Sequence, residues 1–266
     1  MKIMIPIKQV PETSSVKMDE KTGAMIREGT ESIVNPLDLY AIETGVQLKE
    51  KYGGSVTVIS MGPLTAEKAL KEAVAMGCDD GILLTGKEFA GSDTWATSYA
   101  IAEAVKNAGY DLIICGERAT DGDTGQVGPA IASLLDVPLA AYVSCIESVN
   151  EEYIVVERLI ESGYEKLRLE LPALITVIKE IASPRLPTLR GKQRAKVTAI
   201  PGLSAEQAGI DKLKIGLEAS PTRVVKIETP KITREGKIIT VSGNPESIPE
   251  ACDELVKFLK KTGIRE

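Results

Sequence analysis

The sequence predicts an α/β fold: a mostly parallel sheet with helices on both faces, followed by an extended C-terminal arm. Two observations predict it. Short apolar runs alternate with helix-length segments from residue 2 to residue 135, punctuated by glycine, proline and capping residues. Beyond residue 138 the pattern changes to strand-like runs joined by polar turns.

Residues 2–8 read as a buried first strand, ended by Gln9-Val10-Pro11. Turn signals at Gly23 and Gly29 precede a helix over 36–52, for which Asn35 is the expected N-cap and Pro36 the first residue. Ala41, Val46 and Leu48 belong to its apolar face. Ser55–Met61 is the second strand, broken by Gly62-Pro63, and a helix over 65–76 stops at Gly77. Ile82–Leu84 is a short third strand. Asp93 can cap a helix over 94–108 that stops at Gly109. Asp111–Cys115 is the fourth strand, and a helix fits 125–135 before Asp136 and Pro138.

Leu139–Ser148, Tyr153–Ile160, Lys166–Leu171 and Leu174–Ile178 are expected to extend the sheet as antiparallel edge strands. Residues 183–201 read as irregular and basic. The remainder contains Pro221, Pro230, Pro245 and Pro249 and a helix over 246–261. Three parts follow: an α/β nucleotide-binding domain over 1–183, a basic loop over 184–200, and an arm over 201–266 too poor in apolar runs to form its own core.

Composition excludes several classes of function. The chain has 266 residues and a net charge of −6, which argues against broad nucleic-acid or anionic-membrane binding. It has no histidine, so histidine-based triads and the commonest metal ligand are absent. Cys78, Cys115, Cys145 and Cys252 form no CxxC pair, and three of the four are expected to be buried thiols in a reducing cytoplasm. The strand at the N-terminus is too short for a signal peptide, and no apolar run approaches the roughly 18 residues of a membrane helix.

In parallel sheets a ligand sits at the carboxyl ends of the strands. Met61-Gly62 and the loops after the first and fourth strands cluster there. The last of these reads Gly116-Glu117-Arg118-Ala119-Thr120-Asp121-Gly122-Asp123-Thr124-Gly125-Gln126-Val127-Gly128, running from a strand into a helix. Its four glycines admit close approach of backbone N–H groups to a ligand, and the helix start adds a positive dipole end. That chemistry suits phosphate. The pattern is neither GxGxxG nor a P-loop. Asp121 and Asp123 would repel phosphate unless they cap turns, meet ribose hydroxyls or hold the loop. A cation-binding turn is the alternative, but Ala132 stands where a calcium loop places glutamate. Trp95, the single tryptophan, is expected to pack in the core near the start of a helix beside the nucleotide, and Glu43 to serve as an ion-pair partner.

With this loop, Ile7-Lys8-Gln9-Val10-Pro11, Asn35-Pro36-Leu37-Asp38, Ser60-Met61-Gly62-Pro63, Ala75-Met76-Gly77-Cys78-Asp79 and Ile160–Thr176 occur in order. Together they resemble the electron-transfer flavoprotein beta family, which includes FixA-type and flavin-bifurcating proteins. The resemblance implies a Rossmann-like fold akin to adenine-nucleotide alpha-hydrolases, and tight pairing with an FAD-binding alpha subunit. It implies cofactor contacts from Pro6, Asn35, Pro36, Leu37, Asp38, Met61, Thr94, Glu117, Arg118, Ala119, Thr120, Asp121, Gly122, Asp123, Thr124, Gly125, Gln126, Val127 and Gly128. The ligand it implies is FAD, since the loop is similar to that of bifurcating members, or AMP held structurally as in respiratory members. NADH would be the donor, or NAD the acceptor. Further partners would be an acyl-CoA, enoyl-CoA or lactate dehydrogenase, and ferredoxin or flavodoxin.

The stretch Arg185–Lys196 has five cations and no acid. Read by itself it is either a solvated charged loop or a docking segment. The resemblance favours docking, with Leu189 as the apolar anchor and Arg185, Arg190 and Lys192 around it.

Overall fold

The computed structural model describes residues 1–12, 32–225, 238, 241 and 247–261. They fall into two units, Met1–Val225 and Lys226–Glu266. The signals at Gly23, Gly29, Pro230 and Pro245 lie outside the described residues.

The first unit begins with β1 (Lys2–Pro6), then a two-stranded antiparallel pair of β2 (Gln9–Pro11) and β3 (Ser32–Val34). Next come α1 (Asp38–Tyr52), β4 (Ser55–Met61), α2 (Glu67–Met76), β5 (Asp80–Leu84) and α3 (Thr94–Ala108). They are followed by β6 (Leu112–Gly116), α4 (Val127–Leu135), β7 (Leu139–Val149), β8 (Tyr153–Ile160), β9 (Gly163–Glu170) and β10 (Ala173–Val177). The unit ends with α5 (Leu189–Val197), β11 (Gly202–Leu203) and the short α6 (Gly216–Ala219). In the second unit α7 spans Ser247–Lys261, with Ile248, Leu255, Val256 and Phe258 exposed.

One sheet of nine strands runs in the order β11-β5-β4-β1-β6-β10-β7-β8-β9. Every pairing from β11 to β7 is parallel, and only β7-β8 and β8-β9 are antiparallel. The central strands are mostly apolar because both faces are covered. Ile3 and Ile5 of β1 point to one cluster with Ala41, Ile42 and Val46 of α1 and Leu70 of α2. Met4, between them, points to the other with Ile101 and Val105 of α3 and Ile131 of α4. Burying each isoleucine, valine, leucine or methionine among them is worth about 1.5–3 kcal/mol.

Local signals place most boundaries. Asp93 accepts from Ala96 N at 3.1 Å and starts α3 where expected. Asp136, in the left-handed region at φ 53°, closes α4.

Several expectations are corrected. α1 starts at Asp38, so Asn35 is not its N-cap and Pro36 is not its first residue; the Asn35 carbonyl instead accepts from Asp38 N at 2.9 Å. Gln9–Pro11 does not merely end β1 but pairs with Ser32–Val34. β10 is no edge strand: it lies parallel between β6 and β7. The basic segment is helical over Leu189–Val197, capped by Thr188, whose hydroxyl accepts from Gly191 N at 2.9 Å. Residues 202–215, assigned to the arm, belong to the first unit: β11 pairs with β5, and Ala205, Ala208, Ile210 and Ile215 are buried on the α3 side. Two cysteines are buried, Cys78 and Cys115, rather than three; Cys145 and Cys252 are exposed. Trp95 is 40% exposed, stacked on Tyr99 at 6.0 Å, and is not a core residue.

Candidate functional site

The sheet order reverses at β1: α1 leads out to β4 on one side, and β6 returns on the other. α1 packs on one face and α4 on the opposite face, so the loops after β1 and β6 flank the point of reversal at the carboxyl edge, where parallel sheets bind their ligands. Lys8 and residues 35–38 border it from β1, and residues 117–128 border it from β6.

The two sides are tied together. The Asn35 side chain, fully buried, donates to the Arg118 carbonyl at 2.9 Å and accepts from Thr120 N at 3.1 Å. Both ends of that amide are taken by the loop backbone, so Asn35 holds the loop from beneath. Asp38, also buried, accepts from Lys8 N at 2.7 Å. Burial pushes its carboxyl from 3.8 up to about 7, against the opposing pull of the Lys8 N–H, the Asn35 side chain and the Lys8 charge. Gly116 is required where β6 leaves the sheet. A Cβ there would lie 2.4 Å from Asp38 Oδ1 and 2.9 Å from the Leu37 carbonyl.

Within the loop, Asp123 N donates to the Ala119 carbonyl at 2.8 Å and closes a turn, with Asp123 at φ 53° and Gly125 at φ 61°. The acids that would repel phosphate are neutralised locally. Lys8 Nζ lies 2.7 Å from Asp121, and Arg118 Nε lies 3.1 Å from Glu117 and 3.2 Å from Asp123. Residues 120–124 are exposed, and Gly122 has only Lys8 Nζ near it, at 4.0 Å from a Cβ position. α4 begins without a side-chain cap at Gln126, and Thr94 at the start of α3 reaches Gln126 Oε1 at 3.4 Å. Gly128 lets this helix end sit on the sheet: a Cβ would lie 2.8 Å from Thr176 Cγ2. Pro6 is buried at the end of β1, Met61 half-buried at the end of β4, and Pro36 exposed.

An uncapped helix start, glycine-lined backbone and self-compensated acids fit a phosphate-bearing nucleotide. The same residues supply no nucleophile. Burial first, and then the Asp38 charge, raises the Cys115 thiol far above its ordinary range, keeping it protonated. Among the described residues no group of acids and cysteines is arranged to hold a metal ion.

Two neighbours of the site are not among the residues expected from the sequence to contact a ligand. Thr176 accepts from Tyr142 N at 3.0 Å, and Tyr142 sits at φ 61° beside the loop. Such backbone costs a non-glycine residue of order 1–3 kcal/mol.

The basic segment forms a separate feature. Arg185 is not displayed. Its guanidinium meets Glu43 at 2.8 and 3.0 Å and Glu50 at 2.6 and 2.9 Å, and its backbone N–H donates to Glu43 at 3.0 Å. Burial raises Glu43, yet the Arg185 and Gln47 hydrogen bonds outweigh it and hold the carboxyl below its ordinary value. Arg194 donates to the Val74 and Cys78 carbonyls at 2.8 and 2.7 Å, fixing α5 on the end of α2. Leu189, 83% exposed, stands out from this clamp with Leu186, Arg190 and Lys192.

Comparison with known proteins adds an independent line. A family profile described as "Electron transfer flavoprotein domain" matches residues 22–207. "Electron transfer flavoprotein subunit beta" of Thermoanaerobacterium thermosaccharolyticum is 46% identical over 99% of this chain and 100% of its own length. "Caffeyl-CoA reductase-Etf complex subunit CarD" of Acetobacterium woodii is 40% identical, covering 99% and 100%. "Protein FixA" of Sinorhizobium fredii is 38% identical, covering 96% and 92%. Among the described residues no helix is long and apolar enough to cross a membrane.

Proposed function

Since the chain belongs to the electron transfer flavoprotein family and is of the beta-subunit or FixA type, we propose that it is the FAD-holding beta subunit of a flavin-bifurcating heterodimer. In this reading the heterodimer exchanges electrons with NADH. It delivers them through the alpha-subunit FAD to an acyl-CoA, enoyl-CoA or lactate dehydrogenase, and to ferredoxin or flavodoxin.

The observation that carries the reading is the reversal of the sheet order at β1, beside which a glycine-bearing loop has its acids neutralised by Lys8 and Arg118. FAD, when bound, supplies the hydride and single-electron chemistry. The chain's own residues do less and need no acid or base. Asn35 holds the loop, Gly116 and Gly128 permit close packing beneath it, and the uncapped start of α4 favours negative charge. The name of the Acetobacterium woodii relative places that protein with a caffeyl-CoA reductase. A dehydrogenase of related chemistry is therefore the docking partner inferred for Leu189, Arg190 and Lys192. The apolar residues exposed on α7 suit an arm that packs on the alpha subunit.

Purification with the alpha subunit, followed by acid release and chromatography of bound nucleotides, tests the reading. Two FAD per heterodimer are expected. One FAD with one AMP would replace it by the respiratory-type reading, in which this chain has no redox role.

A further inference from the structure

Tyr142 combines three features that ordinary sheet packing does not account for. It is a bulky residue in the left-handed region, at φ 61°, where glycine or asparagine would sit without strain. It lies in a bulge: from Ile175 to Val177 β10 advances two residues while β7 advances three, from Ala140 to Val143. And the ring so displaced is not buried, being 48% exposed.

The displacement has a direction. Val177 is the common partner of Val143 and Gly116, so Tyr142 stands one residue before the rung on which the loop after β6 begins. The Tyr142 N–H is satisfied by the hydroxyl of buried Thr176, whose methyl group packs under Gly128 at the start of α4. The phenol oxygen lies 3.9 Å from a Cβ position at Gly125, inside the loop. One buried threonine thus sets both the helix start and the tyrosine beside it, and the strained backbone aims a hydroxyl donor at the loop.

We propose that Tyr142 is a nucleotide-contacting residue, its phenol hydroxyl donating a hydrogen bond to the phosphate chain of the cofactor held by residues 117–128. The proposal rests on the nucleotide-binding reading above. It adds a contact from β7, outside every segment that reading names. A hydroxyl donor to an ionised phosphate is the stronger kind of hydrogen bond.

The test uses the full heterodimer with Tyr142→Phe and Tyr142→Gly. Two quantities are measured: the affinity for AMP and for FAD by equilibrium dialysis after removal of bound nucleotide, and the thermal midpoint of the nucleotide-free protein. Tyr142→Phe is expected to leave the midpoint unchanged and weaken binding about tenfold. Tyr142→Gly is expected to raise the midpoint, by relieving the backbone, and to weaken binding at least as much. Binding equal to wild type in Tyr142→Phe overturns the hydroxyl contact. A raised midpoint with unchanged binding in Tyr142→Gly overturns any ligand role. A wild-type heterodimer that retains and rebinds no adenine nucleotide overturns the underlying reading instead.

Discussion

The ammonium of Lys8 meets the carboxylate of Asp121 at 2.7 Å, across 113 residues of sequence, and joins the loop after β1 to the loop after β6. The pair is half-exposed on the lysine side and so adds little to stability; in the proposed site its effect is on the charge that a nucleotide meets.

Removing either partner should shift nucleotide affinity in opposite directions. Asp121→Asn frees the lysine for phosphate and is expected to tighten AMP binding several-fold. Lys8→Met leaves the acid uncompensated and is expected to weaken it about tenfold. Equilibrium dialysis at low and high salt checks this, since both shifts should shrink as salt rises. Shifts of the same sign would contradict the arrangement.

Asp38 predicts a pH dependence of stability. Its carboxyl titrates near 3.8 when unfolded and near 7 when folded, chiefly because it is buried. A group raised in the fold stabilises fully below its unfolded value, and that contribution is lost as the pH rises through 7. Three units correspond to on the order of 4 kcal/mol. Asp38→Asn keeps an acceptor for Lys8 N without the charge. Urea unfolding of both proteins at pH 4, 6 and 8 should show the variant gaining on wild type across that window. A constant difference at all three values would count against it.

The Arg185 clamp predicts an asymmetry between two glutamates. The Glu43 side chain is 4% exposed and that of Glu50 is 55% exposed. Glu43→Gln is expected to cost about 2 kcal/mol, because a half-buried guanidinium loses its one buried charged partner. Glu50→Gln should cost less than about 1 kcal/mol. Chemical denaturation measures both. Equal losses would mean that burial of Glu43 does not matter.

Leu189 predicts a change confined to docking. At 83% exposure its loss should leave the thermal midpoint and nucleotide content as they are. Leu189→Ala is expected to lower the rate of reduction of the cognate dehydrogenase roughly tenfold or more, as truncation of an interface anchor does. Unimpaired reduction would remove the docking role.

Much of this was readable in the chain because the determinants are local. Asp93 and Gly109 bracket α3, and β4 is the run Ser55–Met61 bounded by Gly54 and Gly62. The loop 116–128 was legible from its glycines and its place after an apolar strand. What escaped depends on residues far apart. Asn35 resembles a cap, yet its amide is claimed by Arg118 and Thr120, more than 80 positions on. Arg185 resembles a displayed cation because Glu43 and Glu50 reach it only through the fold. α5 has no apolar stripe; Thr188 and Arg194 hold it helical by capping and by anchorage to α2. Nothing in Ala140–Ser144 announces the backbone of Tyr142, which follows from the mismatch between β7 and β10.

The insertion of β10 between β6 and β7 has a consequence for how the protein comes into being on the ribosome. Until residues 173–177 emerge, β6 has an unsatisfied edge and the Thr176 support under Gly128 does not exist. The chain must therefore carry a gap in its sheet while the β7–β9 excursion is synthesised, and close it afterwards with a late, sequence-distant strand. In the proposed reading the grip on a nucleotide forms only with that closure, and a nascent chain halted before it would expose an adhesive strand edge and call for chaperone protection.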